Sequence, residues 1–177
     1  MELIRRYPQH RFYILTHCAK NLPKFSPFPD NCYVGATATD TDMMLDATRC
    51  FDEISAKVKF ISFEPLLWWD NRKVKDLTLK ALTYGRVNGV IVGAMTGTKK
   101  DIMELHQSYP KLTPMPWGKR WTLQPHVEWV EEVADACDRA GVSLFLKENL
   151  MPLFEAEGIT KREDWTGIRQ EMPEEKR

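Results

Sequence analysis

The chain has little cysteine, no surplus of charge and no long apolar run. Its four cysteines, Cys18, Cys32, Cys50 and Cys137, form no CxxC pair, and a 177-residue chain is too long and core-rich to be a disulfide scaffold. They read as free thiols, and no cysteine or histidine spacing marks a metal site. Lys plus Arg and Asp plus Glu number 25 each, so the formal net charge is zero. That balance supplies neither the basic field that draws a protein to nucleic acid nor one for an anionic membrane. No apolar stretch approaches the roughly 20 residues of a transmembrane helix. The start, MELIRRYPQHRFYIL, lacks the continuous apolar core and small-residue cleavage site of a signal peptide. These absences point to a cytoplasmic protein. There is also no internal repeat, no low-complexity tract and no GxGxxG fingerprint.

What is present is a globular profile, 43% apolar and 28% charged, organised around five apolar stretches. They are predicted as strands at 11–16, 32–38, 58–63, 89–93 and 142–147. Helical spacing predicts helices over 42–55, 72–84 and 126–140. Asp40 or Thr41 is placed to cap the first, Gly85 to stop the second, and Pro125 and Gly141 to bracket the third. Residues 1–8 read as the end of a helix, and 21–30, with three prolines, as an ordered loop. The span 95–125 has no clear period, and long irregular connections are usually functional. From 151 to 177 the chain reads as a polar tail of the same single domain, anchored by Trp165 and frayed at the end. The alternation β, loop, β, α, β, α, β, α, β predicts an α/β fold with a parallel sheet.

Each strand runs into a polar residue at its C-terminal end. In parallel α/β sheets and barrels those ends carry the site. Glu64 follows Phe63 and precedes Pro65. Burial there would raise its pKa and suit it to proton transfer or to binding a cation, or else the carboxylate simply caps loop N–H groups. Lys147 ends the last strand and can hold a carboxylate or phosphate, or pair with Glu64 across a barrel mouth. His17 is a candidate base or an ordinary structural histidine. Gly93 and Thr96 sit in a small-residue turn where backbone can approach a nucleoside, and Gly35-Ala36-Thr37 offers a similar floor. Trp117, Trp121 and Trp129, with Lys119 and Arg120, form either a base-stacking patch or a core residue flanked by loop anchors.

The segments ILTHCAKNL, FPDNCYVGATATD, KFISFEPLL, GVIVGAMTG, HVEWVEEVADACDRAGVSLFLKENL and IRQEMP occur in this order. Together they make the chain resemble the phage Gp37/Gp68 family, also called DUF5131, whose members look like radical-SAM proteins. The resemblance covers most of residues 10–173. It implies a partial TIM-like (β/α) barrel of about five parallel strands, corresponding to the C-terminal half of the family barrel. It also implies a mouth lined by Glu64, Lys147 and Thr96, with Thr16, Thr37, Gly93 and Asn149. Complete family members imply S-adenosylmethionine and a [4Fe–4S] cluster held by a CxxxCxxC motif. This chain lacks that motif, and where the family has a lysine at the first strand end it has His17. The resemblance therefore implies a chain that binds no cluster by itself. It also implies one that pairs with a separate N-terminal half, or self-associates through an open barrel edge. The alternatives are a non-catalytic binding or assembly module, and a doubly wound flavodoxin-like enzyme. Strand order separates the last from a barrel.

Overall fold

The structure, a computed structural model, describes residues 1–69, 76–159 and 168–174. The predicted helix start before residue 76, the Trp165 anchor and the last three residues lie outside the described part. The elements in chain order are α1 (Glu2–Arg6), β1 (Phe12–Thr16), β2 (Cys32–Thr37), α2 (Thr41–Asp52), β3 (Val58–Phe63) and α3 (Leu77–Tyr84). There follow β4 (Gly89–Val92), β5 (Met95–Gly97), α4 (Lys99–Ser108), β6 (Thr113–Trp117), β7 (Arg120–Gln124), α5 (Val127–Ala140), β8 (Ser143–Leu146) and α6 (Met151–Ala156). A 3₁₀ helix, Ala19–Phe25, occupies the proline-containing loop.

Five strands form one parallel sheet in the order β1-β2-β3-β4-β8. Neighbours in space follow their order in sequence. A doubly wound sheet reverses its order at a switch point; this one does not, so the flavodoxin-like alternative falls. The sheet is open and not a closed barrel.

The two faces of the sheet differ. One face, with Val34, Ile61, Phe63, Val90, Val92, Leu144 and Leu146, packs against α2, α3 and α5 and forms the main core. The helices dock through Met44, Ala47, Phe51, Ala81, Leu82, Val130, Val133 and Cys137. Local chemistry sets their ends. Asp40 caps α2 by accepting from the Met43 N–H at 2.8 Å. Gly141 takes a left-handed conformation, φ 61°, that ends α5.

Among the described residues the other face has no helix layer and is filled from the strands themselves. Tyr33, Val58 and Phe60 form a separate cluster there, with Ile91 packed against it. The Phe60 ring lies over Gly35, where an added Cβ would sit 2.3 Å from the ring. The predicted glycine floor at Gly35 is thus already occupied by Phe60. At β1 the face thins out: Tyr13 and Leu15 remain 42% and 53% exposed.

Two regions depart from the sequence reading. The span 95–125 is ordered: β5, β6 and β7 form an antiparallel sheet, order β5-β7-β6, and α4 packs on it through Ile102. Thr98 and Asp101 close a reciprocal capping box that starts α4. Pro114 and Pro116 lie on β6, an edge strand, where a missing N–H costs little. A two-residue turn, Gly118-Lys119, joins β6 to β7 with Gly118 at φ 57°. The second departure is the C-terminal stretch. Leu153 and Phe154 of α6 are buried in the main core. Further on, Arg169 and Glu171 pair antiparallel with the outer edge of β8: the Leu146 N–H donates to Arg169 O at 2.7 Å and the Glu171 N–H to Leu144 O at 3.0 Å. Arg169 is also ion-paired to Asp138 of α5 and to Glu171. Pro173 then seats against Gly89 on the inner face. The chain closes its own sheet edge at β8; at β1 no described strand does so.

Gly35→Ala should therefore destabilise the fold by about 1–3 kcal/mol, because the Phe60 ring must leave its seat. A urea midpoint unchanged from wild type would show that the ring is not held there.

Candidate functional site

The C-terminal ends of β2, β3, β4 and β8, together with the β6–β7 hairpin, border a cleft of ≈ 710 Å³. Its walls include Thr37, Ser62, Glu64, Thr96, Lys147 and Asn149, with His17 at the β1 side and Trp117 and Arg120 from the hairpin. A cavity of this size with a few convergent polar groups is the usual form of a small-molecule site.

Glu64 and Lys147 are brought together as an ion pair. They leave β3 and β8, which are not neighbours; β4 lies between them. The pair spans that strand at Gly93. A Cβ on Gly93 would come within 3.1 Å of Lys147 Cδ, 3.3 Å of Glu64 Cγ and 3.2 Å of Asn149 Oδ1. Gly93 is thus needed for the passage of side chains, and its own space is taken by them rather than left for a ligand. The Glu64 and Lys147 side chains stay 31% and 40% exposed. Glu64 therefore faces a cation at the edge of solvent and not the apolar enclosure expected from Phe63 and Pro65. A pair exposed to this degree adds only about 0–1 kcal/mol to stability. Its interest is that it sets opposite charges side by side in the cleft.

Asn149 is a structural clamp as well as a wall residue. Its Oδ1 accepts from the Ala94 N–H at 3.1 Å, and its Nδ2 donates to Ala94 O at 2.7 Å and to Thr96 Oγ1 at 3.2 Å. The side-chain amide replaces the strand partner that Ala94 loses where β4 ends. Gln124 of β7 continues the network, with Nε2 donating to Asn149 O at 2.7 Å and to Thr122 Oγ1 at 2.8 Å. Through Gln124 the small antiparallel sheet is tied to the rim of the large one.

Among the predicted site residues, Thr37, Glu64, Thr96, Lys147 and Asn149 line the cleft, as does His17. Thr16 does not: its hydroxyl accepts from the Cys18 N–H at 3.0 Å, in the turn after β1. Gly93 lies beneath the lining. The tryptophan patch is divided. Trp117 faces the cleft beside its cross-strand partner Arg120. Trp121 joins the core of the small sheet, where Lys99 Nζ lies 4.9 Å from its ring centroid, and Trp129 stacks near His126 and Trp68. Sequence reasoning did not single out Ser62, Gln124, Phe145 or Gln170, and took Arg120 only as part of the patch. The two-residue hairpin turn could have located Arg120. Gln170 enters through the C-terminal segment, for which no local pattern existed.

Charge in the cleft is mixed. Arg120 makes no ion pair with any described residue, and Glu148 is an exposed acid on the lining. The cleft thus presents cationic and anionic groups, hydroxyls from Thr37, Ser62 and Thr96, and the aromatic faces of Trp117 and Phe145. This set can take a zwitterionic ligand that also carries hydroxyls and a flat ring.

The cysteines do not gather. Cys18 is exposed, while Cys32 in β2, Cys50 in α2 and Cys137 in α5 are buried. Burial raises all three buried thiols, that of Cys137 to about 12. No three His, Cys, Asp or Glu side chains among the described residues are grouped to hold a metal ion.

Residues 1–109 match the family model described as "Protein of unknown function (DUF5131)". No curated protein and no solved structure matches the chain. Among the described residues, no helix is long and apolar enough to cross a membrane.

Two outcomes follow from this geometry. Asn149→Ala should destabilise the protein by about 1–3 kcal/mol, since it leaves the buried Ala94 N–H and C=O without partners; a thermal midpoint equal to wild type would contradict the clamp. In native buffer, dithionitrobenzoate should titrate one thiol of the four quickly, that of Cys18, and the others only after denaturation. Rapid reaction of two or more would contradict the burial.

Proposed function

The chain belongs to the DUF5131 family, and on that premise we propose that it is the C-terminal part of a radical-SAM-like barrel of the phage Gp37/Gp68 type. Its cleft binds the amino-acid and nucleoside portions of a ligand such as S-adenosylmethionine. The observation that carries the reading is the Glu64–Lys147 pair set across Gly93, on three successive strand ends of a consecutively ordered parallel sheet. Arg120 and Lys147 hold a carboxylate, and Glu64 and Glu148 an ammonium. The hydroxyls of Thr37, Ser62 and Thr96 hydrogen-bond ribose, and Trp117 and Phe145 cover a purine. In this reading Glu64 is the group that orients the ligand or exchanges a proton with it, and Asn149 and Gln124 hold the rim in place.

S-adenosylmethionine fits the donor set; a [4Fe–4S] cluster does not. The cluster needs thiolates close together, and the four cysteines lie on different elements, three of them buried. The chain is accordingly catalytically incomplete without a part that carries the cysteine cluster, and we derive no chemical step through it. That part is the natural partner for the β1 edge, because Tyr13 and Leu15 are exposed there while the outer edge of β8 already pairs with Arg169 and Glu171. A second reading, a binding or assembly module without catalysis, is favoured by the dispersed cysteines and uses the same cleft.

Isothermal titration with S-adenosylhomocysteine tests the ligand class without requiring turnover. Saturable binding is expected, weakened about tenfold or more in Glu64→Ala as a charged hydrogen bond is lost. No binding, or equal binding by a folded Glu64→Ala protein, would remove the reading. Anaerobic co-expression with a CxxxCxxC-bearing half then separates the two readings: a complex absorbing near the iron–sulfur bands supports the enzyme, and failure to associate supports the module.

A further inference from the structure

At the opposite end of the sheet from the cleft, a second pocket of ≈ 530 Å³ opens beside the first residues of β3. Lys59 is on its wall and is only 5% exposed. Its Nζ donates to the Phe51 carbonyl, near the C-terminus of α2, at 2.6 Å. Among the described residues this is the ammonium's sole hydrogen bond, and it has no ion pair. An ammonium carries three donors, so capping the helix end accounts for one of them. Burying a cation without a counter-charge is costly. The cost is visible in Lys59, whose pKa is lowered first by burial and then by the nearby Arg86, with Asp52 opposing.

The rest of the pocket is also rich in donors. Asn88 spends its Oδ1 on the Lys59 backbone N–H at 2.9 Å, and among the described residues its Nδ2 has no partner. Arg86 reaches the pocket from a left-handed backbone, φ 50°, and its single ion pair among the described residues is a long one, 3.9 Å to Asp52. Among the described residues, neither Asp52 nor any other acid is part of the lining. Lys57 adds a further basic residue. The Thr83 hydroxyl is committed to Leu79 O at 2.8 Å. Ser55 remains as the hydroxyl able to adapt to either role.

We propose that this pocket binds an oxyanion carried by a small metabolite, a phosphate or a carboxylate, held between Lys59, Asn88 and Arg86. The ligand's oxygens complete the hydrogen bonds that the buried ammonium and the Asn88 amide leave unmade among the described residues, and they place a negative charge in direct contact with the ammonium. The volume exceeds that of a bare phosphate ion, so the anion is one end of a larger molecule. This assignment is independent of the ligand read into the cleft, which lies at the other ends of the strands.

Calorimetric titration at low ionic strength with inorganic phosphate, and separately with citrate, tests it. Saturable binding of one or both is expected, and the two arms distinguish a phosphate from a carboxylate source. Arg86→Asn should weaken it by about tenfold, as expected for a lost charge-assisted contact. Its side chain is outside the core, and asparagine tolerates the left-handed backbone. Lys59→Met should abolish binding. No binding of either anion up to about 10 mM, a weakest-affinity range, would overturn the assignment. So would undiminished affinity in Arg86→Asn, which decides the matter even if Lys59→Met fails to fold.

Discussion

A parallel sheet whose helix layer lies on one face must find another cover for its second face. Here α2, α3 and α5 bury one face, and the strands themselves furnish the other. That constraint explains why glycines recur on the inner face. Gly35 admits the Phe60 ring, Gly89 admits Pro173, and Gly93 admits the Glu64–Lys147 pair. Each is a place where a neighbouring group takes the volume that a side chain would have filled. From bottom to top, the inner surface passes from a proline-covered end, through an aromatic cluster, to a polar rim.

The rim is held mainly by neutral hydrogen bonds rather than by its charges. Asn149 takes over the strand pairing that Ala94 loses, and Gln124 joins that residue to the small antiparallel sheet. The Glu64–Lys147 pair is partly solvated and contributes little to folding. This division leaves the charges free to act on a ligand while the frame stays fixed. The hairpin of β6 and β7 then brings Trp117 and Arg120 over the cleft, adding an aromatic face and a cation with no ion pair among the described residues to a site otherwise made by strand ends.

The sheet therefore has two chemically different ends. The C-terminal ends of its strands present mixed charge and hydroxyls. The other end presents donors, with a buried lysine whose one bond among the described residues is to a helix carbonyl. Between them the apolar strands of the core keep the two regions apart. At the lateral edges the contrast is similar: β8 is paired by the chain's own Arg169–Glu171 stretch, and β1 leaves Tyr13 and Leu15 exposed.

Strand and helix identity was legible because both are local. The stretch Val58–Phe63 is mostly apolar, Asp40 is a cap, and Gly141 is a stop; each acts within a few residues, so alternation and an α/β class followed directly. The polar strand ends were legible for the same reason, and Glu64, Lys147, Thr37, Thr96 and Asn149 do meet in one cleft. The small sheet was hidden because its prolines look like loop residues until β6 is known to be an edge. Thr16 lies apart from the cleft lining, its hydroxyl serving the next turn. What the residues alone determined, then, was which segments are strands and which polar groups end them. Only the tertiary structure decided that Gly93 serves passage of side chains, that Gln124 and Arg120 join the site, and that Lys59 is buried with no ion pair among the described residues. Those facts depend on which strands are neighbours and on what fills the space between them, and such long-range geometry leaves no periodic mark in a single chain.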